Sequence, residues 1–305
     1  MLLNLADGKT LWSTLRQINS TYSPSNTSIQ LEQRHTYFSR LFARDGAVHD
    51  EFHLSEELDS LLSTVDDILP GVRDEINNDM LNSPISEKEI INSINNLKRG
   101  KAGGPDAIIG EFFQSTINYI VPFLNILFNK MWDSGAFPEE WAEAIIIPLF
   151  KNGSPDSPDN YRGISLLSIF SKIFTSILNN RLSFWADALN KIDETQAGFR
   201  KGYSTMDNVF ILQSVVQKYL TKKKGKFYCA FVDFSKAFDT IERQRLWYIL
   251  LKGGIKGKMF MLLSIYSIVK SRVKTLNGST DLFNCPFGAR QGCMFKSFSF
   301  LFFHK

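Results

Sequence analysis

Two aspartates interrupt an apolar stretch of the C-terminal half, Asp233 and Asp239 in YCAFVDFSKAFDTIERQRLW (residues 228–247). The residues before Asp233 have the pattern of a buried strand, where an unpaired carboxylate costs several kcal/mol. A carboxylate in such a place usually holds a cation, a hydrogen-bond donor or a metal ion. The alternative is that Asp233 ends the strand and caps a helix predicted from about Thr240 to Leu251. The segment alone leaves both interpretations open.

Basic side chains occur upstream at positions that suit a phosphate ligand. The loop KRGKAGGPD combines Lys98, Arg99 and Lys101 with three glycines, so that backbone amides and cations can face one anion. Further on, AIIIPLFK, the turn-rich NGSPDSPDN and YRGISLL predict a β-hairpin with Lys151 and Arg162 near its two stems. A guanidinium binds phosphate bidentately and an ammonium adds a point charge, which suits a triphosphate. Solvated surface cations are the alternative for both groups.

The elements that position these residues start with a helix after Ser86. Ser86 and Glu89 form a capping box, and the helix that follows has an apolar face with Ile90 and Ile94. The sequence predicts that the ordered body begins here. Residues 1–85 are polar and acidic, and they predict a loosely ordered linker with short helices.

Further elements follow along the chain. The long apolar segment Ile108–Trp132 is predicted to break near Pro122. Helices are predicted from Ile164 to about Leu189 and from about Met206 to Lys223. The pair Asn277–Gly278 predicts a hairpin turn.

Composition indicates a globular protein with a basic body. The chain has 305 residues, of which 44% are hydrophobic, enough for a sizeable core in one large domain or two smaller ones. Residues 1–90 hold 7 Lys and Arg against 15 Asp and Glu, whereas residues 91–305 hold 28 against 16. The basic part favours a polyanionic partner, and a solvated charged face is the alternative.

The cysteines and the apolar runs bear on location. Cys229, Cys285 and Cys293 form no CxxC pair and are odd in number, so neither a disulfide framework nor a zinc site is predicted. The start of the chain lacks the basic residues that open a signal peptide. The apolar runs along the chain are shorter than the ~20 residues that a membrane span needs. We therefore expect an intracellular protein of the nucleus or cytoplasm, without signal peptide, transmembrane helix or membrane partner.

Six segments together resemble the reverse transcriptase domain of non-LTR retrotransposons of the LINE or jockey type. They are, in order, LKRGKAGGPD, IIPLFKNG, NYRGISLL, QAGFRKGYST, FVDFSKAFDT and GARQGC. One such segment is a weak signal, whereas six in register are a strong one. The resemblance spans about two thirds of the chain, from about Ser86 to Cys293. The resemblance implies an α+β, right-hand polymerase fold, with fingers over 86–226 and a partial palm over 227–305.

The resemblance also implies an RNA-directed DNA polymerase that copies RNA into DNA by two-metal nucleotidyl transfer. Its partners would be an RNA template, a DNA primer and deoxynucleoside triphosphates, and its cofactor would be two Mg²⁺ ions. Asp233 matches the catalytic acid that binds both ions, and the backbone carbonyl of Phe234 matches a further metal ligand. Asp239 would be structural, for example as the N-cap of a helix, and not a metal ligand.

Other roles follow by position in the matching segments. Lys151 and Arg162 match the fingers cations that hold the triphosphate. Phe238 matches the bulky residue beneath the incoming sugar, although an ordinary core aromatic is the alternative, and Gln291 matches a residue near the nucleotide and template. The basic loop with Lys98, Arg99 and Lys101 is the predicted nucleic-acid-binding element.

The sequence also departs from the family pattern. Gly163 stands where the family usually has Pro in YRPIS, a change expected to loosen the hairpin. The family continues after RQGC with a Ser-Pro element and a Tyr-x-Asp-Asp turn, whereas Asp281 is the only acid downstream of Glu242 here. The 305-residue chain by itself is therefore predicted to be an inactive fragment of the enzyme. A non-catalytic nucleic-acid-binding remnant or a domesticated regulator is the alternative.

Overall fold

The computed structural model describes residues 29–43, 81–222, 225–234, 237–239, 241–263 and 269–288. Its helices are α1 (Leu31–Ala43), α2 (Glu87–Asn95), α3 (Gly110–Ser115), α4 (Ile117–Ser134), α5 (Glu139–Ala142), α6 (Ile169–Ala188), α7 (Thr205–Leu220), α8 (Arg243–Lys252) and α9 (Gly257–Leu263). Its strands are β1 (Glu143–Phe150), β2 (Tyr161–Leu167), β3 (Lys270–Thr275), β4 (Gly278–Ser279) and β5 (Phe283–Asn284). This is a mixed α+β fold in which helices pack around a small sheet.

One sheet joins two distant parts of the chain. The strand order is β2-β1-β3-β4, and β5 also pairs with β3. The predicted hairpin is confirmed, because β1 and β2 pair in antiparallel fashion and the Lys151 amide donates to the Asn160 carbonyl at 2.8 Å. β3 then lies parallel to β1, with Glu143 opposite Lys270. Residues predicted to belong to the fingers and to the palm thus share a single sheet.

The predicted hairpin near residue 277 is also present, one residue earlier than expected. Thr275 pairs with Gly278, so the two-residue loop consists of Leu276 and Asn277. Gly278 has a φ of +126°, a backbone conformation that glycine adopts readily. The hairpin was therefore predicted to within one residue, and the strand pairing decided the exact register.

The helix after Ser86 forms as predicted. The Ser86 hydroxyl accepts a hydrogen bond from the Glu89 amide, and the Glu89 carboxylate accepts one from the Ser86 amide. Ile90 and Ile94 are fully buried in the core. Local capping and an apolar stripe agree here, so sequence alone was sufficient to predict the element.

Two predicted helix boundaries were wrong. The apolar segment breaks at Thr116 between α3 and α4, whereas α4 continues through Pro122 because Val121 and Leu124 bury its inner face. Residues from Ile164 to Leu167 remain in β2, and α6 begins only at Ile169. Antiparallel pairing with β1 keeps these apolar residues extended.

Arg181 ties helix α6 to the chain that leads into α2. Its guanidinium donates to both carboxylate oxygens of Glu89, at 2.6 and 2.9 Å, and to the carbonyls of Ser83 and Pro84, at 2.6 and 2.9 Å. It also lies 5.0 Å from the centre of the Trp132 ring. Burial raises the pKa of the Glu89 carboxyl, but the bonds from Arg181 and Ser86 outweigh burial and hold that pKa below its ordinary value. Arg181 is therefore a buried cation with a full set of partners.

Helix α1 is a packed part of the body. Its Phe38 and Phe42 join the hydrophobic core, and Leu81 and Ile85 are buried with them. The body thus extends N-terminally of Ser86, where the sequence predicted it to begin. The sequence missed this because the acidic residues around α1 dominate the composition of the first 85 positions.

Helix α7 has a different character. It starts at a capping box of Ser204 and Asp207, close to the predicted start, yet none of its side chains is buried. Its apolar residues Val209 and Phe210 are exposed.

In the part of the chain that the structure describes, no helix combines the length and the apolar character that crossing a membrane requires.

Candidate active site

The β1–β2 hairpin places two cations on one face. Lys151 lies opposite Asn160, and Arg162 lies opposite Leu149. The Lys151–Asn160 bond continues the ladder one residue past β1, so Lys151 and Arg162 are diagonal neighbours on the same face, with backbone positions about 7–8 Å apart. Leu149 is exposed on that face, whereas Ile146 is buried on the other. The sequence predicted the cations at the two stems, and the register shows that they also point to the same side.

Both cations are available to a ligand. The side chains of Lys151 and Arg162 are exposed, and neither forms an ion pair or hydrogen bond with another described residue. An ammonium and a guanidinium on diagonal positions of one hairpin face can contact neighbouring phosphates of a polyphosphate. The geometry suits a triphosphate and equally a nucleic-acid backbone.

Gly163 does not loosen the hairpin, contrary to the expectation from its sequence. The ladder continues through the pair Gly163 and Pro148. A Cβ on Gly163 would lie 2.8 Å from Cε1 of Phe38 and 2.9 Å from Cγ2 of Ile146. The ring of Phe38 fills the space that a side chain would need, so packing against Phe38 restrains the backbone at Gly163.

The basic glycine loop has both exposed cations and a structural role. Lys98 and Lys101 are exposed, whereas Arg99 donates from Nε to Gln114 at 3.1 Å. Gly104 packs against the end of β2, where a Cβ would lie 2.3 Å from the carbonyl carbon of Leu167. Gly104 is therefore required for close backbone packing. The sequence interpretation had instead assigned the glycines of this loop to the approach of a phosphate.

Glu111 also contributes to the shape of this loop. Its carboxylate accepts a hydrogen bond from the Gly100 amide, and this bond lowers the pKa of the Glu111 carboxyl. Gly100 has a φ of +67°, which a non-glycine side chain would strain. The loop is thus shaped by its own contacts, and Lys98 and Lys101 remain as its ligand-binding candidates.

The segment around Asp233 was predicted wrongly in its local structure. Residues 225–234 form neither helix nor strand, and Asp233 is exposed together with its neighbours, including Phe231 at 83%. The predicted burial required flanking strands, and no described strand pairs with this segment. Asp233 therefore does not cap a helix either, and its predicted role as a metal ligand stays a prediction.

The residues after Asp233 are connected to the turn that leads towards Gln291. Asp239 is buried, but the N-cap of α8 is Glu242, so the predicted capping role of Asp239 is wrong. Arg243 donates to the Gly288 carbonyl at 2.9 Å, and the Gly288 amide donates to Ile241 at 2.8 Å. The fold thus brings two of the matching segments together.

Gly288 is needed for this contact. A Cβ there would lie 2.9 Å from the backbone oxygen of Asp239, and its φ of +82° is one that glycine adopts. Gln291, predicted to lie near the nucleotide, falls outside the described residues. The approach of Gly288 to Asp239 shows how closely the chain before Gln291 passes the aspartate segment.

Phe238 has an aromatic neighbour that the sequence interpretation did not single out. Phe238 is half-buried against the core, and Phe199 contacts it edge-on at a centroid distance of 5.7 Å. Phe199 is 53% exposed and has a φ of +63°, which is rare for a bulky residue. It belongs to the QAGFRKGYST segment, and its membership of a matching segment was the only available signal. Phe238 retains both the nucleotide-binding and the core interpretation.

The described residues do not by themselves form a two-ion site. Within them, no three His, Cys, Asp or Glu side chains gather where they could hold a metal ion. Asp233 presents one exposed carboxylate, and the Phe234 carbonyl would add one neutral oxygen. Two divalent ions need more oxygen ligands than this pair supplies.

Comparison with known proteins identifies the family. Residues 150–301 match the family described as Reverse transcriptase (RNA-dependent DNA polymerase). The RNA-directed DNA polymerase of the mobile element jockey from Drosophila melanogaster is 32% identical over 204 residues, which are 65% of this chain and 21% of that protein. Proteins of transposon BS and of the X-element from the same fly are 31% and 30% identical over 62% and 67% of the chain.

These relatives are much longer than the chain. The matched regions span 20% of the transposon BS protein and 22% of the X-element protein. The family match includes Lys151, strand β2 with Arg162, and the segments around Asp233 and Gly288. The chain belongs to the reverse transcriptase family, of the type found in non-LTR retrotransposons.

Proposed function

We propose that the chain is the nucleotide-binding part of an RNA-directed DNA polymerase that copies the RNA of a non-LTR retrotransposon into DNA. The observation that carries this proposal is the hairpin, which places Lys151 and Arg162 on one exposed face within the family match. A polymerase must neutralise the charge of an incoming triphosphate, and these side chains are suited to it. The RNA template, the DNA primer and deoxynucleoside triphosphates are the proposed partners.

The finer assignments belong to the same proposal. Residues 86–226 would form the fingers, and the palm would begin near residue 227. Asp233 would be the acid that binds both magnesium ions in two-metal nucleotidyl transfer, with the Phe234 carbonyl beside it. Phe238 would lie beneath the sugar, and Gln291 near the nucleotide and template. The exposure of Asp233 is compatible with a ligand role, since nothing described covers its carboxylate.

Loss of Arg162 should impair nucleotide use. A charge-assisted hydrogen bond contributes about 1.5–3 kcal/mol, so we expect Arg162→Ala to lower kcat/KM for deoxynucleotides about 10–100-fold. The measurement is steady-state primer extension by a chimera in which a jockey polymerase supplies the sequence after Cys293. Arg162→Lys should retain part of the activity, because it keeps the charge and loses the bidentate geometry.

A suitable control is Lys130→Ala, because Lys130 is an exposed lysine of α4 outside the matching segments. Lys172 is unsuitable, since burial lowers the pKa of its ammonium against the opposite effect of Asp106. An equal, small loss in Arg162→Ala and Lys130→Ala would return Arg162 to the class of solvated surface cations.

Nucleic-acid binding should depend on salt. Each phosphate contact to a single strand contributes about −0.7 to the slope of log K against log salt. We expect the full chain to bind RNA, and the double variant Lys98→Ala with Lys101→Ala to reduce that slope by roughly 1.4. Fluorescence anisotropy with a labelled single-stranded RNA at several salt concentrations measures both quantities.

The matched control is the double variant Lys88→Ala with Lys130→Ala, which removes two exposed lysines outside the loop. If both double variants change the slope equally, the loop has no special role and binding reflects total charge alone. Salt-dependent binding of this kind is also what the alternative function, a nucleic-acid-binding remnant, requires. Activity of the chimera distinguishes the two functions.

A further inference from the structure

Helix α1 contacts both residues that flank Arg162. The Arg34 guanidinium lies 4.6 Å from the centre of the Tyr161 ring. On the other side, Phe38 occupies the space in front of Gly163, with Cε1 only 2.8 Å from the position of a Cβ on that glycine. Arg34 and Phe38 are 6% and 1% exposed, so both contacts are well packed. These contacts lie on the face of the hairpin opposite to the Arg162 side chain.

The same helix contacts the turn that leads towards Gln291. The carbonyl of Phe42 accepts a hydrogen bond from the Phe287 amide at 3.1 Å, and Phe42 is buried. Phe38 and Phe42 are four residues apart and therefore lie on one face of α1. That face spans from the hairpin to the Phe287–Gly288 turn, which Arg243 holds next to Ile241.

Strand β2 depends on such a contact. In the described sheet, β2 lies at one end of the strand order and pairs only with β1. An edge strand is restrained by hydrogen bonds on one side alone, so packing against its face determines how firmly it is held. Because the side chain of Arg162 points away from the core, its position depends on the pairing of Arg162 with Leu149 and on how the backbone is held at Tyr161 and Gly163.

We propose that α1 is a positioning element of the nucleotide site. Arg34 and Phe38 hold the backbone on both sides of Arg162, and Phe42 fixes the distance from this hairpin to the chain before Gln291. A cation that is ordered before the ligand arrives loses less conformational entropy on binding, so α1 raises the affinity for a triphosphate without contacting it. This inference rests on the proposed function of Arg162.

The first experiment measures the binding of tripolyphosphate to the full 305-residue chain by isothermal titration calorimetry. We expect Arg162→Ala to weaken binding about 10-fold, because it removes a cation that contacts the ligand. Phe38→Ala should weaken binding about 3–10-fold, because it only loosens the backbone that positions this cation. Phe38→Leu should recover most of the affinity, because it refills part of the space at Gly163. Circular dichroism at the same temperature confirms that each variant is folded.

The matched control is Phe113→Ala. Phe113 is fully buried like Phe38, but its ring contacts are with Phe112 and Phe170. This variant loses as much core packing and should bind tripolyphosphate within about twofold of the wild type. Equal affinities of Phe38→Ala and Phe113→Ala would overturn the positioning role, since a purely structural loss predicts that result.

A second experiment separates this inference from the proposed function. Gly163→Ala should lower the urea midpoint of unfolding, because the new methyl group meets Phe38 and Ile146. In the Phe38→Ala background the same substitution should cost clearly less, since only the contact with Ile146 then remains. Additive losses would show that α1 does not support the hairpin at Gly163. If Arg162→Ala binds tripolyphosphate as the wild type does, the proposed role of Arg162 fails, while this cycle still decides whether α1 holds the hairpin.

Discussion

Primer extension on an RNA template should fall nearly to background when Asp233 is replaced by alanine. The protein for this measurement is the chimera with a jockey polymerase sequence after Cys293, where the family resemblance implies a Tyr-x-Asp-Asp turn. A metal-binding carboxylate contributes several kcal/mol of transition-state stabilisation, and each 1.36 kcal/mol corresponds to a factor of ten. We therefore expect Asp233→Ala to reduce the rate at least about 10³-fold.

Two comparisons make this result decisive. Asp239→Asn should retain far more activity than Asp233→Ala, because Asp239 is buried beside Gly288 and is expected to be structural. The 305-residue chain alone should not extend a primer, because Asp281 is its only acid after Glu242. Extension by that chain which disappears in Asp233→Ala would contradict the prediction of an inactive fragment. Normal activity of the Asp233→Ala chimera would remove Asp233 from the catalytic site.

The second large effect concerns stability. Removing Arg181 leaves Glu89 and the carbonyls of Ser83 and Pro84 without their shared donor. Breaking a fully buried ion pair costs about 3–5 kcal/mol, and the partial exposure of Glu89 reduces this cost. We expect Arg181→Ala to lower the free energy of unfolding by about 2–4 kcal/mol, measured by urea denaturation.

The control for this prediction is Arg272→Ala. Arg272 donates to Glu143 at 3.1 Å, but both side chains are considerably more exposed than Arg181. Exposed pairs contribute about 0–1 kcal/mol, so this variant should stay close to the wild type. A loss of similar size in both variants would show that burial does not strengthen the contacts of Arg181.

The same pair predicts a dependence on pH. The pKa of Glu89 in the folded chain lies below its ordinary value, so its stabilising effect is complete above the unfolded pKa of about 4.3. This contribution disappears as pH falls below that value and passes through the folded pKa. The stability of the wild type should therefore fall more steeply below about pH 4.3 than that of Arg181→Ala. Parallel curves would mean that Glu89 is not the group responsible.

Features that depend on neighbouring residues were predictable from sequence. The capping box of Ser86 and Glu89 needs only residues three positions apart, and it formed as expected. The hairpin with Lys151 and Arg162 follows from two short apolar runs around a loop rich in Pro, Asn, Asp and Ser. Motif order also identified the family, because matching segments in register do not require knowledge of the fold.

Features that depend on distant contacts were not predictable in this way. Asp233 was expected in a buried strand because its neighbours are apolar, yet a strand needs partners, and no described strand pairs with residues 225–234. Phe199 is next to Phe238 although they are 39 positions apart in the sequence. No local pattern reports such a contact.

The amino-acid sequence by itself determined the family, the hairpin and the positions of its two cations, since these depend on short-range periodicity and turn residues. Tertiary structure alone decided that β3 pairs with β1, and that α1 packs behind Arg162 at Gly163. The physical reason is that burial and strand pairing depend on which surfaces meet, and those surfaces come from residues more than a hundred positions apart.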